Sequence, residues 1–218
     1  LGIGKGSVTL NDLHEAEVIM IMGQNPGTNH PRMLGALEKC KQNGGKIITV
    51  NPLPEAGLLN FTDPQSPIKM IQGGTLLTDV FAPVKVNGDV AFLKAIMLKL
   101  EKMEEANPGN VLDWDFIKEH THGFDNFLAD LKKEDVQHAI SESGVEESII
   151  IEVAEMMATN DKIIICWAMG LTQQKNGVGN IQEVVNLLLM RGAIGKPGAG
   201  TCPVRGHSNV QGDRTMGI

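Results

Sequence analysis

Residues 17–50 read EVIMIMGQNPGTNHPRMLGALEKCKQNGGKIITV, and the fold turns on this stretch. Glu17–Met22 is a short apolar run bounded by polar residues and Gly23, the pattern of a strand buried on both faces. The loop GQNPGTNHP follows. Asn29 is placed to cap, and Pro31 sits near the first helical position. RMLGALEKCKQ then repeats its apolar residues at helical spacing until Gly44 and Gly45 stop it. KIITV at 46–50 is a second strand. Strand, helix and strand in about thirty residues form a βαβ unit, which requires parallel pairing and a right-handed crossover.

Outward from this unit the same alternation continues. TDVFAPV at 78–84 is a candidate third strand, and GDVAFLKAIMLKLEKM from Gly88 is a long helix. Residues 113–143 alternate short amphipathic helices with breaks. EESIIIEVAEMMATN is a further helix, KIIICWA at 162–168 a further buried strand, and NIQEVVNLLLMRG the last helix. The expected fold class is α/β, a Rossmann-like, mainly parallel sheet flanked by helices. Residues 1–218 read as one such domain, with a helical insertion near 107–145 and a Gly-rich tail over 192–218. In such sheets ligands sit outside the carboxyl ends of the strands. The loops there start at Gly23, Asn51 and Met169, and all three are rich in Gly, Asn, Gln and Thr.

Composition narrows the function. The 218 residues carry 19 Lys and Arg against 26 Asp and Glu, a net charge of −7, with 4% aromatics and no Tyr. Such a chain lacks both the phosphate-neutralising charge and the stacking platforms of a nucleic-acid binder. Cys40, Cys166 and Cys202 are far apart in sequence and form no Cys-x-x-Cys pair, which argues against a zinc or iron–sulfur site built from this chain alone. Their odd number fits a reducing, cytoplasmic compartment rather than a disulfide framework. No apolar run is long enough to span a bilayer. The opening at Leu1 and the close within a Gly-rich loop suggest a piece of a longer chain.

The motifs point to a nucleotide without the usual fingerprint. Gly23-Gln24-Asn25-Pro26-Gly27 departs from G-x-G-x-x-G, which lowers the case for ordinary nicotinamide-dinucleotide binding. The geometry that the fingerprint serves survives, because Gly23 allows close backbone approach and a helix N-terminus lies near Pro31. Asn51 ends the second strand, where dinucleotide folds place a ribose-binding acid. Asn25, Asn29 and Asn51 serve equally well as turn and cap residues. GIGKGS at 2–7 lacks phosphate-loop spacing and has no strand before it. His14, His30, His120, His122 and His138 read as surface or helix-end residues. No Ser-His-Asp or paired-carboxylate arrangement can be read, so hydrolysis has no support.

GQNPGTNHPRM, then MGLTQQKNGVGNIQEVVNLLLMRGAIGKPGAGTCPVRGHSNVQGDRTMG, and the spacing between them resemble the molybdopterin-dependent oxidoreductases, in particular formate dehydrogenase-like alpha subunits. The match runs in order over residues 16–218. It implies a central domain that binds molybdopterin guanine dinucleotide carrying molybdenum or tungsten. The metal's protein ligand and the iron–sulfur cluster would lie in other parts of the parent protein. It also implies a small anionic substrate such as formate and an electron-acceptor subunit as partners, and a chain that supplies a cofactor bed rather than a complete active site. The alternative is a stand-alone nucleotide-binding module, such as the middle domain of a thiamine-diphosphate enzyme.

By position, the resemblance puts Gly23, Asn25 and Thr28 in the first cofactor loop. Asn51 and Pro52 stand where many members have Asp-Pro-Arg, with Leu53 in place of the Arg. Gly88 and Asp89 resemble the segment that meets the guanine. A carboxylate suits that base, whose N1–H and N2–H are adjacent donors, although Asp89 also reads as a helix N-cap. Met169, Gly170, Thr172 and Gln173 resemble a pterin-contacting loop. Arg205 matches an arginine that points into the substrate pocket, where a guanidinium would hold a carboxylate through a planar pair of hydrogen bonds. A phosphate contact is its other reading. His207 stands where formate dehydrogenases often have Gln and joins Arg205 as a candidate catalytic residue.

Overall fold

Five strands run parallel in one sheet in the computed structural model, which describes residues 5–61, 74–206 and 216–217. They are β1 (Val18–Met22), β2 (Lys46–Val50), β5 (Val80–Ala82), β6 (Ile163–Trp167) and β7 (Gly200–Pro203). A separate antiparallel pair, β3 (Asn60–Phe61) and β4 (Thr75–Leu76), follows the one-turn helix α4 (Ala56–Leu59) and stands apart from the sheet. The sheet order is β5-β2-β1-β6-β7. The chain therefore builds outward from β1 to β5 and then crosses back to add β6 and β7 on the other side. The reversal between β1 and β6 is a topological switch point, where such sheets open a ligand crevice.

Alternation of side chains across the strands feeds two cores. Val18, Met20, Met22, Ile48, Val50, Ile163, Ile165 and Trp167 face one side. There they meet α5 (Asp89–Ala106), α9 (Glu147–Ala158) and α11 (Gly177–Met190). Ile19, Ile21, Ile47, Ile164 and Cys166 face the other side. They meet α1 (Leu10–Glu15) and α3 (Pro31–Gln42). Period-two geometry imposes this split, and burial on both faces is why β1 and β6 are apolar throughout. Each fully buried aliphatic side chain contributes about 1.5–3 kcal/mol of transfer free energy.

The short helices α6 (Trp114–His120), α7 (Phe124–Leu131) and α8 (Val136–Ser143) occupy the stretch expected to be helical, and α8 packs along α5. The turn leading into them is tied to Glu104, which is 7% exposed. Its carboxylate accepts from Gly109 N (2.5 Å), Val111 N (3.0 Å), Leu112 N (2.9 Å) and Trp114 Nε1 (2.7 Å). Burial alone would push this carboxyl up, but the four donors outweigh it and hold it below its ordinary value of 4.5. A depressed folded value means stability that is complete above the unfolded value and lost as pH falls through the folded one. Glu104→Gln is expected to cost about 2 kcal/mol near neutral pH. In urea titrations the gap from wild type should narrow as pH falls below 4.5.

One local expectation changes. Asn29 does not cap: Asn25 caps α2 (Pro26–Asn29), and His30 holds the N-cap position of α3 without a side-chain hydrogen bond there. Within the Gly-rich tail, Gly200–Pro203 forms the edge strand β7. The expected strand at 78–84 is present in shorter form as β5. Among the described residues no helix is long and apolar enough to cross a membrane.

Candidate functional site

The loops leaving β1, β2, β5 and β6 surround an open cleft of about 380 Å³ at the carboxyl edge of the sheet. Gly23, Gln24 and Asn25 line it after β1, and Asn51, Pro52 and Glu55 after β2. Val84, Lys85, Val86 and Asp89 close a third side, and Gly170 and Gln174 a fourth. Six residues singled out in the sequence thus meet in one place: Gly23, Asn25, Asn51, Pro52, Asp89 and Gly170.

Two glycines bring the backbones together at the switch point. Gly170 N donates to Gly23 O at 3.1 Å. A Cβ on Gly23 would lie 2.6 Å from Leu171 N, and one on Gly170 would lie 2.6 Å from Gly23 O. Gly23 also has φ +55°, a left-handed conformation that favours glycine. The two loops consequently meet main chain to main chain where they line the cleft.

Polar groups stand beside them. Asp89 is the first residue of α5, with Gly88 at the N-cap position, and is 4% exposed. Burial raises its carboxyl above the ordinary range, and a 2.8 Å hydrogen bond from Gln174 Nε2 opposes the rise. Gln174 Nε2 also donates to Gly170 O (2.9 Å), and its Oε1 accepts from Asn180 Nδ2 (3.1 Å), so the partner of Asp89 is itself anchored. Gln24 is 3% exposed, and its Oε1 is buried without a hydrogen-bond partner. An orphaned acceptor of this kind costs about 1–3 kcal/mol unless something donates to it. The donor set is therefore short of N–H or O–H groups, and a ligand rich in them fits.

The other candidates lie around the cleft rather than in it. Thr28 is exposed, and its amide donates to Asn25 Oδ1 at 3.1 Å. Gly88 is buried where a Cβ would come 2.9 Å from Ser143 O. Met169 and Thr172 belong to the one-turn helix α10 (Met169–Thr172), and Gln173 follows it. All three are exposed at the sheet's carboxyl edge. Gln174, one residue further on, is the side chain from this loop that reaches the cleft. Arg205 is half-buried just beyond β7, on the same edge. His207 lies outside the described residues. Sequence reasoning missed Gln24, Gln174 and His30. His30 is half-buried, with Nε2 2.8 Å from Arg205 O.

The cysteines also sit differently from their sequence spacing. Cys166 and Cys202 are register partners on β6 and β7, and both are free thiols. The hydrogen bond from Cys166 lowers the Cys202 thiol, while the same bond and burial raise Cys166. Burial pushes Cys40 up to about 11. Among the described residues no group of three or more His, Cys, Asp and Glu side chains comes together to hold a metal ion.

A doubly wound parallel sheet with a cleft at its switch point is the arrangement in which α/β folds place ligands. Residues 5–216 match the profile of the molybdopterin oxidoreductase family, and the chain belongs to that family. It is 50% identical over 218 residues to an uncharacterized oxidoreductase of Mycobacterium tuberculosis, covering 100% of this chain and 28% of that protein. It is 32% identical over 216 residues to the F420-dependent formate dehydrogenase 1 subunit alpha of Methanococcus maripaludis, covering 98% of this chain and 29% of that one. Acetylene hydratase from Pelobacter acetylenicus shares the fold, with a TM-score of 0.68 at 16% identity over 88% of this chain and 25% of that structure. The chain thus spans less than a third of the length of these relatives. Family membership sets aside the thiamine-diphosphate alternative.

Proposed function

We propose that this chain is the central cofactor-binding domain of a formate dehydrogenase-like enzyme and that its cleft holds the guanosine end of a molybdopterin guanine dinucleotide. The observation that carries this reading is the buried Asp89 carboxylate at the head of a cleft lined by Gly23 and Gly170. A carboxylate offers paired acceptors to the adjacent N1–H and N2–H of guanine, and burial removes competing water. Gln174 holds Asp89 in place. Gln24 Oε1 offers a further acceptor, the main chain at Gly23 and Gly170 would face the phosphates, and Asn51, in the cleft wall with its Nδ2 donating to Leu53 O at 2.7 Å, would offer Oδ1 to the ribose. When bound, the group supplies two-electron chemistry at molybdenum or tungsten. The chain's own part is to hold that group and, through the Arg205 guanidinium, to orient a small anion such as formate by charge and planar hydrogen bonding. The metal ligand, an iron–sulfur cluster and contacts to an electron-acceptor subunit belong to other parts of the longer protein. The relationship to a formate dehydrogenase alpha subunit supports formate as the substrate to try first.

Asp89→Asn tests the base assignment. Asn replaces one acceptor by a donor that faces guanine N–H. Binding of guanosine 5′-diphosphate to the cofactor-free protein should weaken about tenfold, while adenosine 5′-diphosphate binding is unchanged. Thermal stability should hold or rise, because a desolvated carboxylate has been removed. Equal guanosine diphosphate affinity for both forms, measured by calorimetry, would refute the assignment.

A further inference from the structure

We propose that His30 is a positioning residue that couples occupation of the cleft to the placement of the Arg205 segment, acting through Gln24. The inference rests on the cofactor reading above and adds to it a route between the cofactor bed and the substrate arginine. His30 joins parts of the chain that are 175 residues apart: its Nε2 lies 2.8 Å from the carbonyl oxygen of Arg205. A carbonyl can only accept, so Nε2 carries the proton and donates. In the neutral ring Nδ1 is then an acceptor, and Gln24 Nε2 faces it at 3.4 Å. The same Gln24 nitrogen lies 3.1 Å from Met33 Sδ, a second acceptor.

These two contacts fix the orientation of the amide. Turning it over would set Gln24 Oε1 against the sulfur and the ring lone pair, with no proton between them. The amide oxygen is thereby left in the cleft wall, buried and without a partner. A ligand N–H or O–H that takes Oε1 holds the amide, the amide holds the ring, and the ring holds the Arg205 carbonyl. The point of attachment matters for the arginine. The last sheet-edge bond on this strand is Val204 N to Trp167 O at 2.8 Å, one residue earlier. Gly206, one residue later, is exposed, and a Cβ there would have its nearest neighbour, Met169 Cε, 3.9 Å away. The His30 bond therefore acts where the chain leaves the sheet, at the residue whose side chain is assigned to the substrate.

The experiment is hydrogen–deuterium exchange at Val204–Gly206 in the full-length, cofactor-free protein, with guanosine 5′-diphosphate as the probe. Two near-isosteric variants separate the ring nitrogens. His30→Gln can place its Nε2 near the position of the ring Nε2, whereas the shorter side chain of His30→Asn cannot reach the carbonyl. Without ligand, exchange at Val204–Gly206 should quicken about tenfold in His30→Asn and stay near wild type in His30→Gln, with β1 protected in both. Added guanosine diphosphate should slow exchange at this segment in wild type and His30→Gln but not in His30→Asn, and by linkage His30→Asn should bind the nucleotide more weakly by no more than the factor of slowing it loses. Unchanged exchange in His30→Asn, equal effects of the two variants, or loss of β1 protection in both would overturn the proposal. So would nucleotide binding to wild type with no slowing at Val204–Gly206. Failure of the nucleotide to bind at all would instead remove the cofactor reading and the coupling with it, while the ligand-free comparison still decides the His30 contact.

Discussion

Gly23→Val should lose about 4 kcal/mol of unfolding free energy and abolish nucleotide binding in the cleft. Two separate costs add. Gly23 has φ +55°, and a β-branched residue held in the left-handed region costs about 1–3 kcal/mol. Its new Cβ would also stand 2.6 Å from Leu171 N and 2.8 Å from Gly170 C. Both are main-chain atoms, so no rotamer change relieves the overlap, and the two loops at the switch point must part. Overpacking of this kind adds about 1–3 kcal/mol. Gly170→Val makes the reciprocal overlap with Gly23 O but carries no positive-φ cost, so it should fall between wild type and Gly23→Val. Gly35→Ala is the control. It lies on the exposed face of α3 with nothing within 4 Å of a new Cβ, and should gain about 0.5–1 kcal/mol from reduced freedom of the unfolded chain. Urea titration of the three variants reads the order directly. A Gly23→Val protein within about 1 kcal/mol of wild type would mean that the switch point is not closed by these two backbones.

What could be read from the sequence depended on whether a residue's surroundings were local. β1, β2 and β6 were legible because burial on both faces demands a short, nearly unbroken apolar run. β7 was not, because Gly200, Thr201, Cys202 and Pro203 carry none of that signal. Position at the sheet edge tolerates the proline, and Gly200 is needed where a Cβ would stand 2.3 Å from Ser7 Oγ. α11 begins at Gly177 rather than Asn180 for a related reason, since Gly177 and Gly179 lower helix propensity while tertiary packing carries the first turn. In the cleft, Gly23, Asn25 and Asn51 were legible from their places after strands, whereas Pro52, Asp89 and Gly170 were singled out by the resemblance to the molybdopterin-dependent oxidoreductases. Gln24 and Gln174 differ in kind: each is one of many glutamines, and only the packing shows that one is buried beside a cleft and the other reaches Asp89. His30 was read as a helix-end residue, which it is. Its bond to Arg205 spans 175 residues and leaves no trace in local spacing. The same holds for Cys166 and Cys202, distant in sequence and adjacent across two strands.

On the proposed function, Arg205→Lys in the full-length protein is expected to reduce formate turnover about 100-fold while molybdenum or tungsten and pterin contents stay at wild-type levels. Geometry rather than charge decides the loss. Lysine keeps the positive charge but replaces a rigid planar fork by a single ammonium on a flexible stem, so a carboxylate loses its paired hydrogen bonds and its fixed orientation. About 100-fold corresponds to about 2.7 kcal/mol, the scale of one charge-assisted hydrogen bond lost in the transition state. Three outcomes are separable on a single preparation by measuring metal, pterin and turnover together. A loss of turnover at full cofactor load assigns Arg205 to the substrate. A parallel loss of cofactor and turnover assigns it to a phosphate of the dinucleotide, and no change in either removes it from the site. The proposed function expects the first outcome. Arg205 follows the edge strand β7, its carbonyl is held by His30, and the cleft that would take the guanosine end lies on the other side of Gln24. An arginine held there is separated from the nucleotide cleft yet tied to it through two side chains. The His30→Asn variant accordingly should lower turnover in the same direction as Arg205→Lys but by a smaller factor, because the guanidinium remains and only its anchor is lost.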